Sequence, residues 1–136
     1  MREIHISIGL IQQGNKYLLQ LRNGEAKIGG AGLIGCFGGK INKNEDPLYT
    51  FCREIFEETS LQPKPHEVKK IGIINVKSDH QLEPVKVTGH VFYWEFTGNK
   101  RPQISEGELV LMTKDEALAS LDKLTTGTRA VFEELI

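Results

Sequence analysis

Cysteine is scarce in this chain: Cys36 and Cys52 are the only two in 136 residues. They lack the spacing of a metal site. One falls in an expected strand and the other on the apolar face of an expected helix, so both read as small buried hydrophobes and no disulfide framework is implied. Long hydrophobic runs are missing too, none approaching the roughly 20 residues of a membrane span. Met1-Arg2-Glu3-Ile4-His5 puts charges inside what would have to be the apolar region of a signal peptide. Neither sign of charge is in excess, with 17 Lys and Arg against 18 Asp and Glu, a formal net charge of −1. That balance argues against a nucleic-acid polymer or a membrane surface as the main partner. Repeats and low-complexity tracts are absent. What is there, 39% hydrophobic and 26% charged, is one domain's worth of chain (residues 1–136), expected in the cytoplasm. Oligomeric state is not legible, and a homodimer stays open.

The stretch from Gly39 to Leu61 organises the rest, and it reads as a loop feeding a helix. Asp46 before Pro47 is a start signal: an oxygen that can cap free amides, then a residue whose missing N–H costs nothing at the first helical position. Leu48, Phe51, Cys52, Ile55 and Thr59 recur at three- and four-residue steps and form one stripe facing a core. Glu54, Glu57 and Glu58 fall at i, i+3 and i+4 on a second stripe. Like charges at these spacings destabilise a helix by a few tenths of a kcal/mol per pair. Arg53 can pair with only part of the cluster. The surplus is a set of hard oxygen ligands of the kind that Mg²⁺ or Mn²⁺ prefers; the plainer alternative is a solvated acidic face.

Just upstream, Phe37-Gly38-Gly39-Lys40 lets the backbone come close to a ligand and is expected to leave amides or carbonyls free to face it. With Glu45 between loop and helix, the segment resembles the Nudix box of the Nudix hydrolase family, written G-x5-E-x7-R-E-U-x-E-E-x-G-U with U apolar. Gly39, Glu45, Arg53, Glu54, Ile55, Glu57, Glu58 and Leu61 match without a gap. Ser60 stands where the pattern has its second glycine. A non-glycine residue in a left-handed conformation costs roughly 1–2 kcal/mol, so the turn at Ser60 is expected to be built differently.

Around this segment the chain alternates strands and turns. Glu3 to Gln12 and Tyr17 to Arg22 form a hairpin about Gln13-Gly14-Asn15, and Asn23 to Gly32, with Lys27, is a Gly-rich loop that would border the site as a lid. Leu33 to Phe37 is a short strand. Val68 to Lys77 and Val85 to Thr97 are two long strands joined by a polar turn at Ser78 to Pro84. His90, Phe92, Trp94 and Phe96 lie on one side of the second, with Val87, Gly89, Val91, Tyr93 and Glu95 on the other. Trp94 and Tyr93 are candidates to stack on a nucleobase, against ordinary packing. Leu109 to Met112 is a strand, Lys114 to Leu121 a helix, and Arg129 to about Leu135 a last helix with Thr125, Thr126 and Thr128 offering caps. The pattern is mixed α+β. The resemblance implies a Nudix-type α/β/α sandwich, a curved mixed sheet between helices, over essentially the whole chain.

The resemblance also implies an activity: Mg²⁺-dependent or Mn²⁺-dependent hydrolysis of a nucleoside diphosphate linked to another group, a small-molecule nucleotide substrate. Glu54, Glu57 and Glu58, with the Gly39 carbonyl, would hold the metal, and one further acid would come from Glu106 or Glu108. Either Glu54 or Glu58 would be the base. Arg53 would orient the carboxylates, with Glu45 one step behind them. Gly38, Gly39 and Lys40 would meet the phosphates, and Arg22 would clamp a phosphate or touch the base. Around Val76 to Asp79 the chain has neither the proline of ADP-ribose members nor the tyrosine of diadenosine-polyphosphate members. Cys36-Phe37-Gly38-Gly39-Lys40 looks more like the MutT and mammalian oxidised-purine triphosphatases. The mammalian type has an asparagine where this chain has Gly35, and an aspartate pair where it has Thr125 to Thr128. A nucleoside triphosphate of unspecified base is therefore the expected substrate, with ADP-ribose or a nucleotide sugar as runner-up and a non-catalytic nucleotide sensor as the reading from another class.

Overall fold

β1 (Arg2–Gln13) is the strand on which the sheet is assembled. The computed structural model describes residues 2–23, 32–80 and 83–136. β1 runs parallel to β6 (Glu83–Glu95) from Arg2↔Val85 to Gln12↔Glu95, and β6 pairs antiparallel with β5 (Val68–His80). Along its other edge β1 changes partner. Ile6 to Gly9 pair with β4 (Phe37–Lys40), whereas Ile11 to Gln13 pair with β2 (Lys16–Leu21) across the Gly14-Asn15 turn. β2 carries the sheet on to β3 (Ile34–Gly35) and to β7 (Glu108–Met112). Among the described residues the sheet is thus mixed, of seven strands, and divided where β1 leaves β4 for β2.

Side chains alternate across the strands, so the sheet has two apolar faces. Ile8, Leu10, Tyr17, Leu19 and Val91 pack toward α3 (Thr126–Glu134), where Val131 and Phe132 meet them. Ile11, Leu18, Phe92, Trp94 and Phe96 pack toward α1 (Pro47–Thr59), where Phe51 and Ile55 are fully buried. Burying each such side chain contributes on the order of 1.5–3 kcal/mol. The result is a sheet between helices, the α/β/α sandwich that the sequence resemblance implied.

Several boundaries differ from the sequence reading. Phe37–Lys40, read as loop from Gly38 on, is a strand. Gly38 has φ +146° and a side chain there would strike the Ser7 carbonyl, so the glycine fits a ladder that other residues would not. The expected strand at Leu33 to Phe37 is consequently split around Cys36. The ladder of β5 and β6 continues to His80↔Glu83, so the polar turn is shorter than Ser78 to Pro84; its Gln81 and Leu82, like the lid expected within Asn23 to Gly32 and its Lys27, lie outside the described residues. α2 (Lys114–Leu118) stops short of Leu121, which begins a separate 3₁₀ turn. α3 starts at Thr126 rather than Arg129, because the Thr125 side chain caps the Thr128 amide and Gly127 is taken into the helix. Trp94 is 5% exposed against Phe96, 5.3 Å between ring centroids, and is a core residue instead of a stacking platform. Tyr93 gives its hydroxyl to Gln12 Oε1 at 2.6 Å.

Candidate active site

α1 begins as its sequence dictates. Asp46 is extended, its Oδ1 accepts the Leu48 amide at 2.8 Å, and Pro47 fills the first helical position. The helix end corrects the expectation for Ser60. This residue adopts the left-handed conformation itself, φ 64° and ψ 4°, the conformation a glycine would take. Its amide bonds the Phe56 carbonyl at 2.9 Å, and Lys100 Nζ reaches the Ser60 carbonyl at 2.8 Å. Two more carbonyls of the last turn are met from outside the helix: Gln103 N donates to Thr59 O at 2.8 Å and Ser105 N to Glu58 O at 3.0 Å. Residues 103–105 are thereby fastened beside the acidic end of α1.

Arg53 sits among three carboxylates. Its Nε and Nη2 grip Glu45 at 2.8 and 3.0 Å, and Nη1 reaches Glu54 at 3.0 Å and Glu57 at 3.3 Å. This two-pronged hold, with the Thr50 hydroxyl at 2.7 Å, brings the Glu45 carboxyl down to about 2. Glu45 is thus the partner that fixes Arg53. Glu57 remains 54% exposed at its side chain.

Glu58 lies in a different setting, turned inward to accept the Gly38 amide on Oε1 at 2.9 Å. Burial pushes its carboxyl up to about 8, against the pull of the Gly38 N–H and the positive charge of Arg22. Burial also raises Glu54, with Arg53 opposing. The Gly38 amide, expected to face a ligand, is therefore already engaged. Gly39 serves differently: a side chain there would run into the Glu54 carboxylate, so its bareness is the space in which Glu54 sits.

Two cavities meet at this point. The smaller, about 310 Å³, brings Glu58 together with Glu106, Gly38 and Arg22. The larger, about 620 Å³, runs from Arg22, Gly38, Gly39 and Lys40 over the apolar floor of Ile4, Ile6 and Val87 to Thr125 and Thr126 at the start of α3. Arg22 and Gly38 line both. The sequence left Glu106 and Glu108 undecided; both are exposed, but Glu106 lines the smaller cavity, while Glu108 pairs with Leu21 in β7.

Among the described residues no three His, Cys, Asp or Glu side chains already converge on one point as a cation cage. Arg53 holds Glu54 and Glu57 instead. In kind, however, the donors fit a divalent cation: hard carboxylate oxygens, crowded with like charge, two of them raised in pKa chiefly by burial. Sequence reasoning missed Gln20, a buried amide of β2 in the smaller cavity, and Cys36, which lines both cavities beside Thr128. A lone polar residue closing the apolar run Tyr17-Leu18-Leu19 was the available signal for Gln20. Burial pushes the Cys36 thiol up to about 12, which leaves it an inert wall at neutral pH.

A family model described as NUDIX domain matches residues 1–135. Among solved structures, the MutT protein of Methanosarcina mazei Go1 superposes with a TM-score of 0.79 at 24% identity, covering 97% of this chain and 91% of that one. The MutT NUDIX hydrolase of Burkholderia pseudomallei gives 0.80 at 19% identity over the whole of both chains. A bifunctional NMN adenylyltransferase/ADP ribose pyrophosphatase of Francisella tularensis, complexed with AMP and an Mn ion, gives 0.71 at 15% identity over 96% of this chain and 40% of that one. No curated protein sequence matches.

Proposed function

The chain belongs to the Nudix hydrolase family, and from that membership we propose that it hydrolyses the pyrophosphate linkage of a nucleoside triphosphate, releasing the monophosphate and pyrophosphate. The observation that carries the reading is the meeting of Glu58, Glu106, Gly38 and Arg22 in one cavity that opens onto a larger one. The smaller has the acids for metal-assisted phosphoryl chemistry, and the larger has the volume and the apolar floor for a base and sugar. Glu54, Glu57, Glu58 and Glu106, with the Gly39 carbonyl, are the residues proposed to hold Mg²⁺ or Mn²⁺. When bound, such a cation neutralises phosphate charge and lowers the pKa of the attacking water.

The rest falls to the chain's own groups. Arg53, fixed by Glu45, aims the Glu54 and Glu57 carboxylates. Arg22 and Lys40, which both line the larger cavity, would bring positive charge to the phosphates. Glu54 or Glu58 accepts the proton of the water. Among the described residues no helix is long and apolar enough to cross a membrane.

The test is a panel of canonical and oxidised nucleoside triphosphates, ADP-ribose and nucleotide sugars with Mg²⁺, reading monophosphate and pyrophosphate release. Preference for triphosphates is expected. Preference for ADP-ribose or a sugar nucleotide would move the protein to that class. Tight binding without turnover across the panel would make it a sensor.

A further inference from the structure

Gln20 is a polar side chain in a strand of hydrophobes, 8% exposed on β2. Its Nε2 donates to the backbone carbonyl of Glu106 at 2.7 Å, across 86 residues of chain. A buried amide group costs stability unless it is bonded, so this contact has a structural use. Its position says more. The carbonyl it holds belongs to a residue that lines the smaller cavity with Glu58, and Gln20 lines that cavity too.

The turn being held needs a glycine. Gly107, next in sequence, has φ +70°, and a side chain there would strike the Leu21 carbonyl. On the other side, residues 103 and 105 are tied to the last carbonyls of α1. The turn is therefore clamped between α1 and β2, and Gln20 is the clamp nearest the carboxylate. We propose that Gln20 is a positioning residue of the cation site, its amide holding the Glu106 turn so that the Glu106 carboxylate stands beside Glu58. This rests on the assignment of Glu106 to that site.

The test is Mn²⁺ binding, read as loss of the free-ion electron paramagnetic resonance signal, in the full chain without substrate. Wild type, Gln20→Met, Glu106→Gln and the double variant form a cycle, with thermal denaturation to confirm that each folds. Gln20→Met keeps the length of the side chain and removes the donor. It should bind Mn²⁺ roughly tenfold or more weakly, the range for partners that orient metal ligands. The double variant should bind no more weakly than Glu106→Gln alone. If the two losses multiply, Gln20 does not act through Glu106 and the proposal is overturned; wild-type affinity in Gln20→Met overturns it as well. If Glu106→Gln itself binds like wild type, the assignment of Glu106 fails and takes the proposal with it. A silent hydrolysis panel beside an intact cycle would remove the proposed activity and leave Gln20 in its role. Should Gln20→Met not fold, Gln20→Asn, whose amide is one methylene too short to reach, takes its place.

Discussion

Replacing Gly39 with alanine separates catalytic geometry from stability. The backbone of β4 accepts an alanine at this position, since Gly39 is not among the glycines with positive φ. The obstacle is space: an added Cβ would stand 2.5 and 2.7 Å from the two oxygens of Glu54, where ordinary contact begins at 3.4 Å. The carboxylate must retreat, and Arg53, bonded to it at 3.0 Å, cannot follow while it grips Glu45 with its other nitrogens. An ion pair of this kind, at the edge of solvent, is worth about 0.2–1 kcal/mol, which is a few degrees of Tm at most for a domain of this size. A catalytic group misplaced on the order of 1 Å costs roughly 100-fold in rate. Gly39→Ala is therefore expected to melt within a few degrees of wild type while kcat/KM for pyrophosphate release falls about 100-fold, or about 2.7 kcal/mol of transition-state stabilisation. Wild-type kcat/KM in a folded Gly39→Ala protein would refute the reasoning, because it would mean that Glu54 does not work from the place Gly39 leaves for it.

Glu57→Gln should abolish turnover and leave Tm unchanged, since this side chain is more than half exposed and, among the described residues, bonded only to Arg53; turnover at the wild-type rate would count against the carboxylate stripe. Ser60→Gly should raise stability by about 0.5–1 kcal/mol in urea denaturation, the relief of a left-handed serine less the greater freedom of an unfolded glycine. The metal-free protein should lose stability as pH rises. Glu58 has its carboxyl at about 8 in the fold against 4.5 when unfolded, so between those values the native state holds a proton that the unfolded state has released. The slope is at most about 1.4 kcal/mol per pH unit, and Glu58→Gln, which keeps an acceptor for the Gly38 amide, should flatten it in denaturation series at successive pH values.

Legibility followed the range of the forces involved. α1 could be read residue by residue, because its apolar stripe, its Asp46-Pro47 start and its acidic stripe are all local consequences of 3.6 residues per turn. β4 could not. Gly38 and Gly39 look like a loop until β1 is laid beside them, and only then does the space at Ser7 and at Glu54 explain them. Ser60 was misjudged for a similar reason: local strain argued for a different turn, while bonds from Phe56, Lys100 and the 103–105 segment hold the strained one in place. Glu106 and Glu108 are two residues apart and equally acidic, and nothing local separates them; the left-handed turn at Gly107 and the bond from the Gln20 amide to the Glu106 carbonyl are features that only the fold brings in.

The acidic helix end raises the question of what holds α1 in place without a cation. Arg53 answers for Glu45, Glu54 and Glu57 with one positive charge against three negative ones, and Glu58 is left to burial and the Gly38 amide. The repulsion is small in magnitude, about 0.2–0.5 kcal/mol per like-charged pair on a helix surface. The opposite face supplies far more: Phe51 and Ile55 are completely buried between β1, β4 and β6, at roughly 1.5–3 kcal/mol each. Thr59, also fully buried, satisfies its hydroxyl on the Ile55 carbonyl at 2.7 Å. Packing outweighs the charge crowding several-fold, so the helix can keep a cluster of carboxylates that its own surface electrostatics disfavour. The uncompensated charge then remains available, held at fixed positions by a rigid core, for a ligand of opposite sign.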